Sequence, residues 1–157
     1  MEQGSVLVRR AHPDDAGRVA ELAAELGYPA ASEEMRRRIV LLEGRSDHAV
    51  LVALVAGRVE GLLHAELVHG ITDDAHVEIA ALVIDSALRG RGLGKELLSR
   101  AEAWARERGV ARVGLRSRST RERAHAFYLR EGYHVAKTQL RFVRELDTEP
   151  PRPADRR

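Results

Sequence analysis

Three glycines at alternate positions, interleaved with cations, mark the segment Val83-Ile84-Asp85-Ser86-Ala87-Leu88-Arg89-Gly90-Arg91-Gly92-Leu93-Gly94-Lys95. Glycine lets backbone approach a ligand closely, and the first turn of a helix opening here has N–H groups without intrahelical partners. Those groups, the positive end of the helix dipole, and Arg89, Arg91 and Lys95 together describe an anion site, with a phosphate or pyrophosphate as its natural guest. A nucleotide-triphosphate loop needs G-x-x-x-x-G-K-[ST], but Arg89 stands in place of the first glycine and Glu96 in place of the hydroxyl. A dinucleotide fingerprint needs a glycine where Lys95 stands and parallel strand–helix–strand order from the start of the domain. Both are disfavoured. A tight turn with no ligand is the alternative reading of the same glycines.

A second set of groups lies just upstream. Strand parity puts His76 and Glu78 on one face, and likewise His64 and Glu66 on the preceding strand. A hairpin centred near Ile71 sets Glu66 against His76 and His64 against Glu78, which makes one polar cluster able to orient a water for proton removal. The same nitrogens and oxygens are metal ligands by type. There is no H-E-x-x-H, however, and a chain without cysteine cannot form the zinc-deaminase pattern, so no metal is expected. A solvated sheet face on which alternating His and Glu have no task is the plain alternative.

Hydrophobic period supplies the elements that must position these groups. Val6 to Arg10 reads as a strand, and His12-Pro13-Asp14-Asp15 suits a helix first turn. Val19, Leu22, Ala23 and Leu26 carry a helix to Gly27, and Met35, Ile39 and Leu42 a second one capped at Ser32. Ala49 to Ala56, a Gly57-Arg58 turn and Val59 to Val68 read as a hairpin, and His76 to Ile84 as the next strand. A long helix from Gly92 to Arg108 presents Leu93, Leu97, Leu98, Ala101, Trp104 and Ala105, with Gly109 as its stop. Val110 to Ser117 is a further strand. Ser119 with Glu122 forms a capping box for a helix to Glu131, ended by Gly132, and Tyr133 to Leu146 supplies one or two last strands. The result is an α/β fold with a mixed, largely antiparallel central sheet flanked by helices. Residues 1–146 form one domain in this reading, and 147–157, with three of the five prolines, a disordered tail.

At 157 residues and 44% hydrophobic content, one domain with a real core is expected. The net charge is only +2, although the sequence pI is 9.4, which speaks against a polybasic nucleic-acid binder. No cysteine means no thiolate nucleophile and no acyl-cysteine step. The longest apolar run, Ala49 to Ala56, is far short of the ~18 residues that span a bilayer. With no visible export signal, a cytoplasmic protein without membrane partner is the default.

Arg89-Gly90-Arg91-Gly92-Leu93-Gly94, preceded by Leu82-Val83-Ile84, resembles the Q/R-x-x-G-x-G/A signature of the GNAT superfamily of acetyl-CoA-dependent N-acetyltransferases. Some thirty residues on, Ala124-His125-Ala126-Phe127-Tyr128-Leu129-Arg130-Glu131-Gly132-Tyr133 is similar to that family's A-x-x-F-Y-x-x-x-G-[FY] segment. With the order of elements, the resemblance spans Val6 to Leu146.

The resemblance implies a GNAT-like acyl-CoA N-acyltransferase fold. Arg89 to Lys95 would hold the pyrophosphate of acetyl-CoA, while Leu82 and Ile84, either side of Val83, would pair their main chain with the pantetheine arm. A bulge in that strand opens a slot for the thioester in the family. Tyr128 stands at the family's general-acid position; its other reading is packing beside Phe127. Glu78 is the candidate base, with His76 and His64 as alternatives. Asp73, Asp74, Glu66 and Glu78 would draw a cationic amine, as in polyamine-like or aminoglycoside-like acceptors. Similarity to aminoalkylphosphonate acetyltransferases points instead to an anionic acceptor served by Arg118, Arg121 and Arg123. Arg121 stands where the family often has Asn, a departure that bears on the hydrogen bond usually made near the cofactor.

The activity so implied is direct transfer of acetyl from acetyl-CoA to a primary amine of a small molecule in a ternary complex. A protein or peptide acetyltransferase, and an acyl-CoA sensor without turnover, use the same cofactor site. A homodimer, through the last strands around Lys137 to Val143, is implied by the resemblance alone.

Overall fold

The computed structural model describes residues 4–148, and within the chain two compact units, 1–121 and 122–157. Residues 149–157 of the expected tail lie outside the described residues.

The first unit is built on β1 (Leu7–Arg10), β2 (His48–Val55), β3 (Arg58–Val68), β4 (His76–Ile84) and β5 (Val113–Leu115), in the spatial order of the chain. The first four pair antiparallel, as two hairpins and a return strand; β5 joins β4 parallel because α3 (Leu93–Glu107) carries the chain back between them. Before the sheet closes, α1 (Ala16–Glu25) and α2 (Ser32–Glu43) are inserted between β1 and β2.

The alternation of side chains sorts the core into two layers. On one face Val19, Leu22, Ala23, Met35 and Ile39 from α1 and α2 pack with Val52, Leu54, Leu62 and Val83. On the other lies α3, whose stripe of Leu93, Leu97, Leu98, Ala101, Trp104 and Ala105 is buried as its period predicts. Each fully buried leucine, such as Leu22, Leu63 and Leu97, contributes about 2–3 kcal/mol of transfer free energy.

Helix ends follow local chemistry. Pro13–Asp15 is a single 3-10 turn capped reciprocally: the His12 ring accepts from the Asp14 N–H, and the Asp15 carboxylate accepts from the His12 N–H at 2.7 Å. α2 is flanked by Ala31, and Ser32 lies one residue inside the helix, so the expected serine cap is not made. Gly27 and Gly109 end α1 and α3 as expected.

The second unit holds α4 (Glu122–Arg130), which starts at Glu122, so Ser119 and Thr120 form a turn outside it and the expected capping box is not the start of the helix. Gly132 ends α4 through Tyr133 N–H to Tyr128 O at 3.0 Å and Gly132 N–H to Leu129 O at 3.2 Å. The strands expected over 133–146 do not form. A strand exists only as part of a ladder, and the described residues of this unit form one helix and no ladder.

Candidate active site

β4 carries both halves of the expected site. Its first half pairs with β3 and β5 at once: Val77, Glu78 and Ile79 face Val113, Gly114 and Leu115. There the pairing with β5 stops. Between Ile79 and Ala81 the register against β3 slips by one, with Ala65 opposite Ile79 and His64 opposite Ala81, so Ala80 is the extra residue of a β-bulge. Beyond it, none of the described strands pairs with residues 80–84 on the β5 side.

The direction of the free groups follows from one hydrogen bond. Asp85 N–H bonds to Glu60 O at 2.8 Å, so Asp85 points toward β3. In an antiparallel ladder alternate residues do so, which turns Val83 toward β3 and leaves the N–H and C=O groups of Leu82 and Ile84 on the open edge.

That edge runs into the glycine-rich turn. Ser86–Leu88 forms one 3-10 turn capped by Asp85, whose Oδ1 accepts from Ala87 N–H at 2.9 Å. Gly90 (φ 80°) and Gly92 (φ 83°) both occupy the left-handed region where a side chain is strained. Gly92 is the N-terminal flank of α3 and has no side chain to cap it. The first intrahelical bond is Glu96 N–H to Gly92 O at 3.0 Å, which leaves the N–H groups of Leu93, Gly94 and Lys95 without an intrahelical acceptor. Arg89 precedes the two glycines, Arg91 lies between them, and Lys95 sits in the first helical turn. An anion is the complement of this arrangement.

Glu78 sits at the other end of β4, on the sheet face that α1 and α2 cover farther along. Its side chain is 16% exposed, with Oε2 3.5 Å from His76 Nε2 and Oε1 3.7 Å from Arg116 Nε. His76 Nδ1 lies 3.1 Å from Asp74 O, and because a carbonyl only accepts, Nδ1 carries a proton. In the neutral ring the Nε2 lone pair therefore faces the carboxylate, two acceptors that one ammonium or water can bridge.

The register differs from the expected one. The strands end at Val68 and resume at His76, which centres the hairpin on Thr72, so Glu66 opposes Glu78, Val68 opposes His76 and, above the bulge, His64 opposes Ala81. A shift of two residues below the bulge keeps the expected faces; a shift of one would have reversed them. Continued onto β2, the row reads His48, Glu66, Glu78, Gly114. His48 Nδ1 and His64 Nε2 are 2.9 Å apart with the rings stacked, so one nitrogen must donate to the other. Burial, and then the neighbouring His48, push the His64 pKa below its ordinary value.

Other expected residues are differently engaged. Asp73 pairs with Arg112 at 3.2 Å, and Arg121 donates to the Leu26 carbonyl at 2.8 Å. Tyr128 belongs to the second unit, where its ring lies 5.2 Å from Phe127 and 6.0 Å, edge-on, from Tyr133. Among the described residues no group of three or more His, Asp or Glu is placed to hold a metal ion, and no helix is long and apolar enough to cross a membrane. A cleft of about 420 Å³ lined by Arg10, Ile39, Leu42, Arg45, Val50 and Arg108 includes no residue of the turn or of the Glu78 row.

Sequence reasoning passed over His48, Gly114 and Arg116. A glycine inside a strand signals close approach of another group, and that sign was present at Gly114. Arg116 and His48 carried none, because cross-strand neighbours are visible only once register is known.

The site is thus an open sheet whose fourth strand splits from the fifth and leads into a glycine-rich helix start. The chain belongs to the acetyltransferase (GNAT) family, whose model matches residues 17–133. It is 41% identical over 69 residues to the aminoalkylphosphonate N-acetyltransferase of Salmonella typhimurium, covering 44% of each chain. Against the mycothiol acetyltransferase of Beutenbergia cavernae it is 39% identical over 83 residues, 53% of this chain and 28% of that one. The matches thus span less than half the length of these curated relatives. Among solved structures, the aminoglycoside 6'-N-acetyltransferase of Acinetobacter baumannii superposes with a TM-score of 0.78 at 14% identity, over 91% of this chain and 100% of that one. A transcriptional regulator from Bacillus halodurans gives 0.79 at 20% identity, over 88% and 99%. At these identities the likeness is one of fold.

Proposed function

We propose that this protein transfers the acetyl group of acetyl-CoA directly to a primary amine of a small-molecule acceptor. The observation that carries the reading is the continuity of the open edge at Leu82 and Ile84 with the uncapped start of α3. An extended, amide-bearing arm ending in a pyrophosphate matches that edge and that turn in sequence, much as a peptide adds to a free strand. Leu82 and Ile84, on either side of Val83, hold the arm through their main-chain groups on the open edge, and Arg89, Gly90, Arg91, Gly92, Leu93, Gly94 and Lys95 the pyrophosphate. Acetyl-CoA, when bound, supplies the acetyl group as an activated thioester.

Proton movement falls to the chain's own residues. A water bridging Glu78 and His76 takes the proton of the ammonium, so that the amine lone pair can form the C–N bond as the C–S bond breaks. Tyr128 gives its phenolic proton to the departing sulfur and is reprotonated from solvent, which also takes the second proton that the nitrogen sheds once the C–N bond has formed, so one proton net is released per turnover. Glu66 directly opposite Glu78 concentrates negative charge where the ammonium is received. Arg116, 86% exposed beside Glu78, favours an acceptor with an anionic group near its amine. The matched aminoalkylphosphonate enzyme is named for a substrate of that kind.

Thermal unfolding with acetyl-CoA, CoA, ATP and NAD tests the cofactor assignment; a ligand at 100 Kd adds about 2.7 kcal/mol of stability. A shift with acetyl-CoA and CoA alone is expected, and a shift with ATP or NAD instead, or with none, overturns it. Thiol release with aminoalkylphosphonates, polyamines, aminoglycosides and lysine peptides then ranks acceptors. Turnover confined to peptides overturns the small-molecule reading.

A further inference from the structure

One guanidinium joins α1 to the turn that follows β4. Arg18, 16% exposed, donates from Nε to Val59 O at 2.8 Å, from Nη1 to Glu21 at 2.8 Å, and from Nη2 to Glu60 at 2.7 Å and to Asp85. Glu60, at 8% exposure, is the buried charged residue among those described. Burial by itself would lower the Arg18 pKa; the hydrogen bonds to Asp85, Glu60 and Glu21 more than offset this and raise it. The Arg18 bond, followed by the Ala87 N–H, lowers the pKa of Asp85.

Partly buried charges of this kind are poor devices for stability alone, because desolvation opposes the Coulomb gain; fixing a particular arrangement is their better-attested use. What this one fixes is Asp85. Its Oδ2 takes the Arg18 bond, its Oδ1 caps the 3-10 turn at Ala87, its carbonyl accepts from Leu88 N–H at 2.9 Å, and its N–H is the bond to Glu60 O that sets the direction of Leu82 and Ile84. Asp85 therefore stands between the open edge and the anion turn, four residues before Arg89.

We propose that Arg18 is a positioning residue for coenzyme A: by clamping Asp85 and Glu60 it sets the angle between the open edge of β4 and the Arg89–Lys95 turn, without touching the cofactor itself. The inference rests on the cofactor assignment proposed above. It makes a residue of α1, some seventy positions upstream, a determinant of affinity at the turn.

Calorimetric titration of CoA into the folded variants tests it, at a temperature where circular dichroism shows each to be native. Arg18→Met and Asp85→Asn should raise the Kd for CoA by about tenfold, the scale on which remote packing residues modulate binding. Arg18→Lys, which keeps the charge but cannot span the same acceptors, should fall between them and wild type. Glu21→Ala removes an exposed Arg18 partner that has no tie to the turn and should leave Kd unchanged. In the free protein, hydrogen exchange at the Ala87 and Leu88 amides should accelerate in Arg18→Met more than exchange in the β2–β3 ladder. Wild-type Kd in folded Arg18→Met and Asp85→Asn overturns this inference alone. A wild-type protein that binds no CoA overturns the cofactor assignment and this inference with it.

Discussion

Gly114 lies directly across from Glu78 in the parallel pairing of β4 with β5, and a β-carbon built on it would stand 3.2 Å from Glu78 Oε2. Its backbone is not in the left-handed region, so nothing in the fold of β5 demands glycine there. The missing side chain leaves room for the carboxylate to face His76.

Gly114→Ala should therefore displace the carboxylate by a few tenths of an ångström. For a base in a hydrogen-bonded chain this predicts a fall in kcat of about tenfold, with the KM for acetyl-CoA unchanged. Steady-state kinetics on the best acceptor checks it; an unaltered kcat and pH profile means that Gly114 does not govern Glu78.

The two proton-transfer roles are tested separately. Glu78→Gln should lower kcat/KM by about 10²–10⁴, while Tyr128→Phe lowers kcat by a comparable factor and leaves CoA affinity intact. Full kcat/KM in either variant removes the role assigned to that residue.

The glycine turn makes a prediction with an internal control. Gly92→Ala and Gly57→Ala each place a β-carbon at positive φ with no neighbour within 4 Å, so each should lose about 1–2 kcal/mol of stability from backbone strain. Only Gly92→Ala should also abolish the thermal shift given by CoA, since Gly57 lies in the β2–β3 turn. Loss of the shift in both variants, or in neither, contradicts the placement of the pyrophosphate.

His64 links stability to acid. Its pKa is lower folded than unfolded, so below the unfolded value near 6.5 the unfolded chain binds the extra proton and stability falls as pH drops, until the folded pKa is passed. Above that window the group is neutral in both states and contributes no slope. His64→Gln should melt less steeply with acidification between pH 6.5 and 5, by up to about 1.4 kcal/mol per pH unit. Identical pH dependence in the two proteins, measured by calorimetry, excludes the effect; His48 and Glu66 are the titratable neighbours left in place.

Reading order and period alone located β2, β3, β4 and α3 to within about a residue, because each has a long apolar pattern bounded by glycine or charge. The turn at Arg89–Lys95 was legible for the same reason: glycine, cation and helix start are consecutive in the chain. What escaped was set by pairing across the chain. The bulge at Ala80 has no local signature, and without it the position of His64 opposite Ala81 cannot be derived. Arg18 sits beside Val19 on a helix whose period explains only the apolar side. Its partners Glu60 and Asp85 are 42 and 67 residues away, and no window reaches them. The expected strands after Tyr133 show the opposite failure, a suitable composition that forms no ladder among the described residues of its unit.

An unpaired strand edge is also a template on which another sheet can grow. Among the described strands residues 80–84 present such an edge, with Leu82 and Ile84 contributing its outward groups, and it lacks the lysines and prolines that usually discourage self-association. The segment that serves as a receptor for an extended arm is therefore the segment most exposed to aggregation while that arm is missing. Saturating CoA should act as a solubilising cap, raising the concentration at which the protein first scatters light.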